Sequence, residues 1–353
     1  MTSKVLLAFT ASLILFSIPV IGCGPGNDLD NSSEKITIED MYGRKLEVPE
    51  QIEGVLTTGN IEAMMAFMVA PDLLLGWGFK PRGTLLDQQY LDLPVVGAWT
   101  ARESGNYEVF IGMQPDIVLE GRQTDLAERQ QKFGSIPVVG LDTGSDMNSF
   151  IEPIRYLGEI LGRSQETELL VNYYEEALLF ADTVKQSIPY EERVRVYYAE
   201  GSDGLSTDPS GSIHTELLDI CGAINVAEVA SDEEGYGMID VSMEQVIMWD
   251  PDVIIIGRAS PPDLRDTIMN DSRWRNFRAI EEGKVYTRPD DPFSWFDGPT
   301  GPNQAIGIYW LVHTLYPEKL SLDELKDKVV EFYSLFYHYE LSEDELSSLL
   351  GTN

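Results

Sequence analysis

The chain has 353 residues, of which 43% are apolar and 24% charged, so it is long enough for about two domains with a sizeable core. Its net charge of −34 disfavours nucleic-acid phosphates and anionic lipid headgroups, so we predict that it binds no nucleic acid. The acidic residues are spread along the chain rather than gathered in a tail, which indicates folded acidic surfaces.

The N-terminal segment has the pattern of an export signal. Lys4 precedes the apolar stretch VLLAFTASLILFSIPVIG, which is followed by Cys23. The VIGC ending resembles a lipoprotein signal, in which cleavage before the cysteine leaves a thiol that carries lipid. We therefore predict a signal peptide over residues 1–22, a lipidated tether over residues 23–35 and an extracytoplasmic protein anchored to the cell membrane. An uncleaved anchor helix is the alternative.

Residues 36–164 alternate between short apolar runs and helical stretches. The segment ITIEDMYGRKLEVP predicts a β-hairpin, because apolar and polar residues alternate around a Tyr-Gly turn. The runs GVLTTG, LLLGWG, PVVGAW, DIVLEG and PVVGLD follow with helical stretches between them, which indicates βαβ units and a parallel sheet buried on both faces. Each run ends in glycine and a polar or aromatic residue, so loops are expected at the carboxyl ends of the strands.

A long amphipathic helix is predicted over residues 165–188. Apolar residues recur every three or four positions from Leu169 to Val184, and Pro189 ends the pattern. We interpret it as a brace between two lobes, the second of which is predicted over residues 189–353. The predicted fold class is therefore α/β, with two Rossmann-like lobes and parallel-rich central sheets joined by one long rigid helix.

One sequence unit occurs twice, as EVFIGMQPDIVLEGR in the first lobe and EQVIMWDPDVIIIGR in the second. In each copy a helix begins near Glu, Pro-Asp turns the chain into a buried strand, and Gly-Arg follows that strand. We therefore expect Arg122 and Arg258 to face one cleft, and Glu108 and Glu244 to lie on the outer surface. The helix dipole alone explains many such glutamates, and a local ion pair explains many such arginines. The shared spacing favours one reused design.

These segments carry a family resemblance. Together with the hairpin, DGLSTDPSGSIHTELLDICGAINVA and PFSWFDGPTGPNQAIGIYWL, the repeated unit resembles the extracytoplasmic solute-binding proteins of ABC importers for ferric siderophores, haem and cobalamin. The resemblance implies two lobes joined by one long helix, modest rocking on closure, and a monomer that delivers a metal chelate or corrinoid. Its partners would be an ABC permease and its ATPase, with docking through Glu108 and Glu244.

Candidate ligand-binding residues lie at the predicted strand ends. Arginine forks bind carboxylates, catecholates and phosphates, and aromatic faces cover macrocycles, so a large, flat or anionic ligand is expected. Each tryptophan has core packing as its alternative role, and Trp249 and Trp310 are interpreted as core. The candidates are Thr58, Asn60, Trp77, Trp99 and Arg122 in the first lobe and Tyr198, Glu200, Arg258, Phe293 and Trp295 in the second.

Neither a resident cofactor nor a bare-metal site is predicted. The three histidines form no close pair in the sequence with one another or with Cys221, which is interpreted as a buried packing residue without a disulfide partner. Iron or cobalt is therefore expected to arrive already chelated. The alternative is a hard cation held by Asp203, Asp290 and Asp291.

Two other classes of protein stay open. The sequence has no G-x-S-x-G elbow, phosphate loop or dinucleotide fingerprint, so we do not expect an enzyme. A two-lobed chelatase that acts on a tetrapyrrole has a comparable architecture, and His214 near a helix start would serve its proton transfers. An adhesive or structural surface lipoprotein is the other alternative, and it predicts a large exposed apolar patch.

Overall fold

The computed structural model describes residues 34–99, 104–144, 146–228, 237–297 and 300–352. The predicted signal peptide, Cys23 and nearly all of the predicted tether lie outside these residues. Within the described part of the chain, no helix is both long enough and apolar enough to cross a membrane.

The first half of the chain is built on a parallel sheet. Strands β1 (Lys35–Glu39) and β2 (Lys45–Pro49) form the predicted antiparallel hairpin before it. The sheet contains β3 (Val55–Thr57), β4 (Ile117–Glu120) and β5 (Val138–Gly140), paired in that order, and every residue of these strands is buried. Complete burial is expected of a parallel sheet with both faces covered. The helices of this half are α1 (Asn60–Val69), α2 (Gln88–Leu91), α3 (Tyr107–Gly112), α4 (Leu126–Phe133) and α5 (Ile151–Ile160).

The apolar runs LLLGWG and PVVGAW do not form regular strands. Leu74 makes an isolated bridge with Val55, and Trp77 makes one with Val95. The two runs therefore extend the edge of the first sheet irregularly and bring Trp77 close to the end of β3.

The long helix between the halves is α6 (Ser164–Ser187), which begins and ends one residue earlier than predicted. The Tyr174 hydroxyl donates a hydrogen bond to the carbonyl oxygen of Met147 in the first half at 2.9 Å. The Tyr173 hydroxyl donates to the carbonyl oxygen of Lys328 in the second half, also at 2.9 Å. The same helix is thus bonded to both halves.

The second half contains a four-stranded parallel sheet. Its strands are β6 (Arg195–Ala199), β8 (Ile224–Asn225), β10 (Val253–Ile256) and β11 (Val285–Thr287), and their spatial order is β11-β10-β6-β8. A short antiparallel pair, β7 (Ser206–Thr207) and β9 (Ile239–Asp240), lies beside this sheet. The helices of this half are α7 (Glu216–Ile220), α8 (Met243–Trp249), α9 (Leu264–Asn270), α10 (Arg278–Glu281), α11 (Gln304–Leu315), α12 (Leu322–Tyr337) and α13 (Glu343–Leu350). The predicted fold class, two parallel sheets joined by one long helix, is confirmed, whereas the lobe boundaries stay predictions.

Both halves contribute to one continuous apolar core. Buried side chains of α1, α6, α11 and α12 belong to the same cluster as residues of β3 and β6. The ring of His338, which follows α12, places Nε2 3.0 Å from the carbonyl oxygen of Met68 in α1. The C-terminal tail therefore covers the first half as well as the second.

Close packing of α11 against the preceding loop is testable at Gly307, where an added Cβ would lie 1.8 Å from the carbonyl oxygen of Trp295. We expect Gly307→Ala to lower the free energy of unfolding by about 1–3 kcal/mol, because backbone must move to relieve the overlap. Gly112→Ala is the control, since a Cβ there meets nothing within 4 Å and alanine favours the helix by up to about 1 kcal/mol. Urea unfolding measures the stability of both variants. Equal stabilities of Gly307→Ala and the wild-type protein would contradict the close packing.

Candidate functional site

A cavity of about 460 Å³ lies between the two halves, near the carboxyl ends of both sheets. Asn60 borders it just after β3, and Ser294 borders it from the loop between β11 and α11. Its walls also carry three aromatic and three cationic side chains, which are Trp77, Phe79, Phe293, Lys80, Arg82 and Arg258.

The aromatic wall is rigid because it is tied on several sides. The indole Nε1 of the buried Trp77 donates to the carbonyl oxygen of Tyr90 at 2.8 Å. The Trp77 ring lies 5.2 Å from that of Phe67 and 5.8 Å from that of Phe293, measured between centroids. Phe293 belongs to the second half, so this aromatic contact joins the two halves at the cavity.

A polar clamp closes one side of the cavity. The Asp291 carboxylate in the second half accepts hydrogen bonds from the backbone N–H groups of Thr84 (3.0 Å) and Leu85 (2.9 Å) in the first half. Beside it, Arg82 forms an ion pair with Asp290 at 3.1 Å. The segment that carries the cavity cations of the first half is therefore attached to the second half.

Arg258 is held at the cavity by buried groups. Its backbone N–H donates at 3.1 Å to the hydroxyl of Tyr198, a fully buried residue that stacks on Phe296. Its Nε lies 3.2 Å from Oδ2 of Asp297, and its Nη2 lies 3.8 Å from Oδ2 of Asp208. The Arg258 side chain is 31% exposed, whereas the side chains of Asp208 and Asp297 are completely buried. The arginine therefore lines the cavity and the two acids do not.

Glu200 lies behind this surface. It is fully buried, and its Oε1 accepts a hydrogen bond from the backbone N–H of Ala259 at 3.0 Å. Burial, and then the neighbouring Asp208 and Asp297 carboxylates, raise the pKa of Glu200. Glu200 therefore supports the turn after β10 and does not line the cavity.

A buried polar cluster in the second half joins His214, named above only as a proton-transfer candidate of the chelatase alternative, to two aspartates that were not predicted. Nδ1 of His214 lies 3.2 Å from Oδ2 of Asp297, and Asp208, His214 and Asp297 each offer an atom within 4.8 Å of the others. Nearby, Arg288 donates to the carbonyl oxygens of Ile256 (3.0 Å) and Gly257 (2.7 Å). Asp208 lies in STDP and Asp297 lies in WFDGP, two segments that carry the family resemblance. The sequence contained no other signal for the two aspartates.

In the structure, the ten predicted ligand-binding residues fall into three groups. Those that line the cavity are Asn60, Trp77, Arg258 and Phe293. Tyr198 and Glu200 are buried directly beneath Arg258. The remaining predicted residues, which do not line the cavity, are Thr58, Trp99, Arg122 and Trp295.

These four residues have local roles. Thr58 bonds through its hydroxyl to the carbonyl oxygen of Leu119 at 3.2 Å, which ties β3 to β4. Trp99 packs beneath the Arg129 guanidinium, 4.5 Å from the ring centroid, in a separate aromatic core. Arg122 is exposed and lies 3.9 Å from Asp125, and Trp295 is fully buried.

Glu62, another residue missed by the sequence analysis, fills the space between two strand-end loops of the first half. A Cβ added at Gly59 or Gly121 would lie 2.0 Å or 1.8 Å, respectively, from the Glu62 carboxyl oxygens. A side chain at either position would therefore displace the Glu62 carboxyl group. Burial raises the pKa of Glu62 from 4.5 to about 7, with Glu120 adding to the effect.

The repeated sequence unit has matching structures in the two halves. Glu108 on α3 and Glu244 on α8 are both exposed. After each helix, the residue before Pro has a positive φ, 54° at Gln114 and 43° at Asp250. The next Asp of each unit then bonds to the start of a neighbouring strand. Oδ2 of Asp116 accepts from the Gly54 N–H at 3.0 Å, and Oδ2 of Asp252 accepts from the Arg195 N–H at 2.9 Å.

Comparisons with known proteins agree with this architecture. Residues 59–292 match the family described as periplasmic binding protein. The molybdate-binding protein MolA of Haemophilus influenzae is 30% identical over 294 residues, which cover 82% of this chain and 73% of that protein. The Fe(3+)-citrate-binding protein YfmC of Bacillus subtilis is 21% identical, over 84% of this chain and 93% of that protein.

Solved structures show the same fold. An ABC transporter solute-binding protein from Sulfurospirillum deleyianum has a TM-score of 0.78 at 27% identity, and the match covers 89% of this chain and 98% of that chain. MolA bound to molybdate has a TM-score of 0.69 at 23% identity, over 87% of this chain and 99% of that chain. The likeness therefore extends over both halves.

The raised pKa of Glu62 predicts that the free energy of unfolding depends on pH. Because the folded protein holds the Glu62 proton more tightly than the unfolded chain, the stabilisation is complete below pH 4.5 and is lost as the pH rises through 7. The loss is roughly 3 kcal/mol. We expect Glu62→Gln to remove this part of the pH dependence in urea unfolding, whereas Glu53→Gln, at an exposed glutamate, should leave it unchanged. Parallel profiles for wild type and Glu62→Gln would contradict the assignment.

Proposed function

Because this chain belongs to the periplasmic binding protein family, as a solute-binding protein of an ABC importer, we propose that its cargo is a small anionic metal compound. The observation that carries the proposal is the cavity, which places the cations Lys80, Arg82 and Arg258 beside the faces of Trp77 and Phe293. Guanidinium groups bind oxyanions and carboxylates through paired N–H donors, and aromatic faces cover the apolar part of a chelate.

The named ligands of the relatives support this class. Molybdate is a metal oxyanion and ferric citrate is an anionic metal chelate, so both named ligands contain a metal and carry negative charge. Ferric siderophores, haem and corrinoids, which the sequence analysis also named, are larger metal compounds and form the alternative cargo that we propose. The volume of about 460 Å³ lies in the lower part of the range of about 300–1,000 Å³ for small-molecule sites, which favours compact cargo.

The working arrangement that we propose follows from the sequence and the family. The protein acts outside the cytoplasm as a monomer, and lipid on Cys23 anchors it to the cell membrane. It delivers its cargo to a permease that is driven by an ATPase. Glu108 and Glu244 then contact basic residues of the permease, one from each half, because their exposure and matched positions suit a partner with two similar surfaces.

A ligand screen tests the cargo. Thermal-shift and tryptophan-fluorescence titrations should show that at least one of sodium molybdate, ferric citrate, haemin, a ferric siderophore or cyanocobalamin binds at one molecule per chain. We expect Arg258→Ala to weaken that binding at least about tenfold, a loss of about 1.4 kcal/mol, because one charge-assisted contact is removed. Arg155→Ala, in a surface cluster of α5 and α6, is the control. An unchanged affinity for Arg258→Ala would remove this residue from the site.

Transport measurements test the docking residues. We expect the double variant Glu108→Ala/Glu244→Ala to bind its cargo normally and to lose uptake in cells, since only the contact with the permease is removed. The matched control is Glu128→Ala/Glu281→Ala, which also removes two exposed helical glutamates, one from each half. Normal uptake by the first double variant would contradict the docking assignment.

A further inference from the structure

We propose that Asp208, His214 and Asp297 form a binding site for a divalent transition-metal ion. This site is separate from the cavity lining described above, and the proposal does not depend on the nature of the anionic cargo. It is the one cluster of metal-ligating side chains of this kind among the residues that the structure describes.

Two loops of the second half converge at the site, the connection between β7 and α7 and the loop between β11 and α11. Asp208 directly follows β7, His214 lies in the turn before α7, and Asp297 lies in the loop between β11 and α11. Each offers one ligand atom, and these atoms all lie within 4.8 Å of one another. Both aspartates are completely buried, and the His214 side chain is 19% exposed, so the three groups share a protected environment.

Several of these ligand atoms lack hydrogen-bond partners. Among the described residues, none makes a well-aligned hydrogen bond to either carboxylate oxygen of Asp297 or to Nδ1 of His214. Nδ1 of His214 and Nε of Arg258 lie 3.2 Å from Oδ2 of Asp297 as ion-pair contacts only. Buried polar atoms are nearly always hydrogen-bonded, and a buried carboxylate that lacks donors carries a large desolvation cost. The unpartnered oxygens of Asp297 therefore point to a further group between these side chains.

The charges lead to the same conclusion. Two fully buried carboxylates share one guanidinium, that of Arg258, which lies 3.2 Å from Asp297 and 3.8 Å from Asp208. When His214 is neutral, this one monovalent cation does not balance the two buried carboxylates, whereas a divalent ion does. With the ion in place, Arg258 would no longer be needed as a counter-charge, and its guanidinium would be free to turn into the cavity that it already lines.

The donor set defines the class of ion. Two carboxylate oxygens and one imidazole nitrogen suit Mn²⁺, Fe²⁺, Co²⁺, Ni²⁺ and Zn²⁺, whereas Cu⁺ prefers sulfur ligands and Mg²⁺ and Ca²⁺ prefer oxygen alone. Three protein ligands leave at least one coordination position open for water or a small anion.

Metal titration of the purified full-length protein tests the site. After EDTA treatment and removal of any affinity tag, isothermal titration with Mn²⁺, Co²⁺, Ni²⁺ or Zn²⁺ should show one ion per chain, with a rise in Tm that EDTA reverses. We expect His214→Ala and Asp297→Asn each to weaken binding at least about tenfold. His313→Ala is the matched control, because the His313 ring lies on α11 and Nδ1 is 2.9 Å from the carbonyl oxygen of Leu320.

The outcomes separate the proposal from its alternatives. Absence of stoichiometric binding by all four ions, or equal affinity in wild type and His214→Ala, would overturn the site and leave the three residues as supports for Arg258. A change at the buried Asp297 can prevent folding, so His214→Gln is added as a milder variant. Far-UV circular dichroism checks that each variant is folded. The titration uses aqueous ions without a chelator, so an absence of ion binding would not contradict the proposed anionic cargo. Equally, an absence of binding in the cargo screen would not contradict the proposed metal site.

Discussion

The continuous apolar core beneath both sheets is the constraint on which the rest of the structure depends. Helix α6 packs against α5 of the first half and α11 of the second, and α12 packs against α11 and against α1 of the first half. Because interiors are packed at high density, the halves cannot slide past each other without opening that core. The cavity is therefore the space that remains above the shared core, where the carboxyl ends of the two sheets face each other.

The two walls of the cavity are chemically different because their supports are different. The first half supplies Trp77, which is fixed by aromatic contacts and by one hydrogen bond to a backbone carbonyl. The second half supplies Arg258, which is fixed by a buried hydroxyl and two buried carboxylates. The resulting site combines an apolar face with a charge whose orientation is set before a ligand arrives, and such preorganisation reduces the entropic cost of binding.

Local patterns in the sequence predicted the fold well, and they predicted the site only in part. Alternation around Tyr42 and Gly43 is enough to predict a hairpin, and a three-to-four-residue period is enough to predict α6, because both patterns are set by neighbours in sequence. Position at a strand end did not decide which residues reach the cavity. Trp99 is covered by Arg129 of α4, and the buried cluster joins His214 to Asp297 across a long stretch of chain. Such contacts depend on tertiary packing that no local period encodes.

The clamp at Asp291 determines which groups travel together when the cleft changes width. The Asp291 carboxylate accepts hydrogen bonds from the main chain at Thr84 and Leu85. The nearby Lys80 and Arg82 are therefore attached to the half that contains Arg258, although they belong to the first half of the sequence. A widening that keeps this clamp moves Lys80, Arg82 and Arg258 as one positively charged set, whose attraction for an anion is weakened by salt.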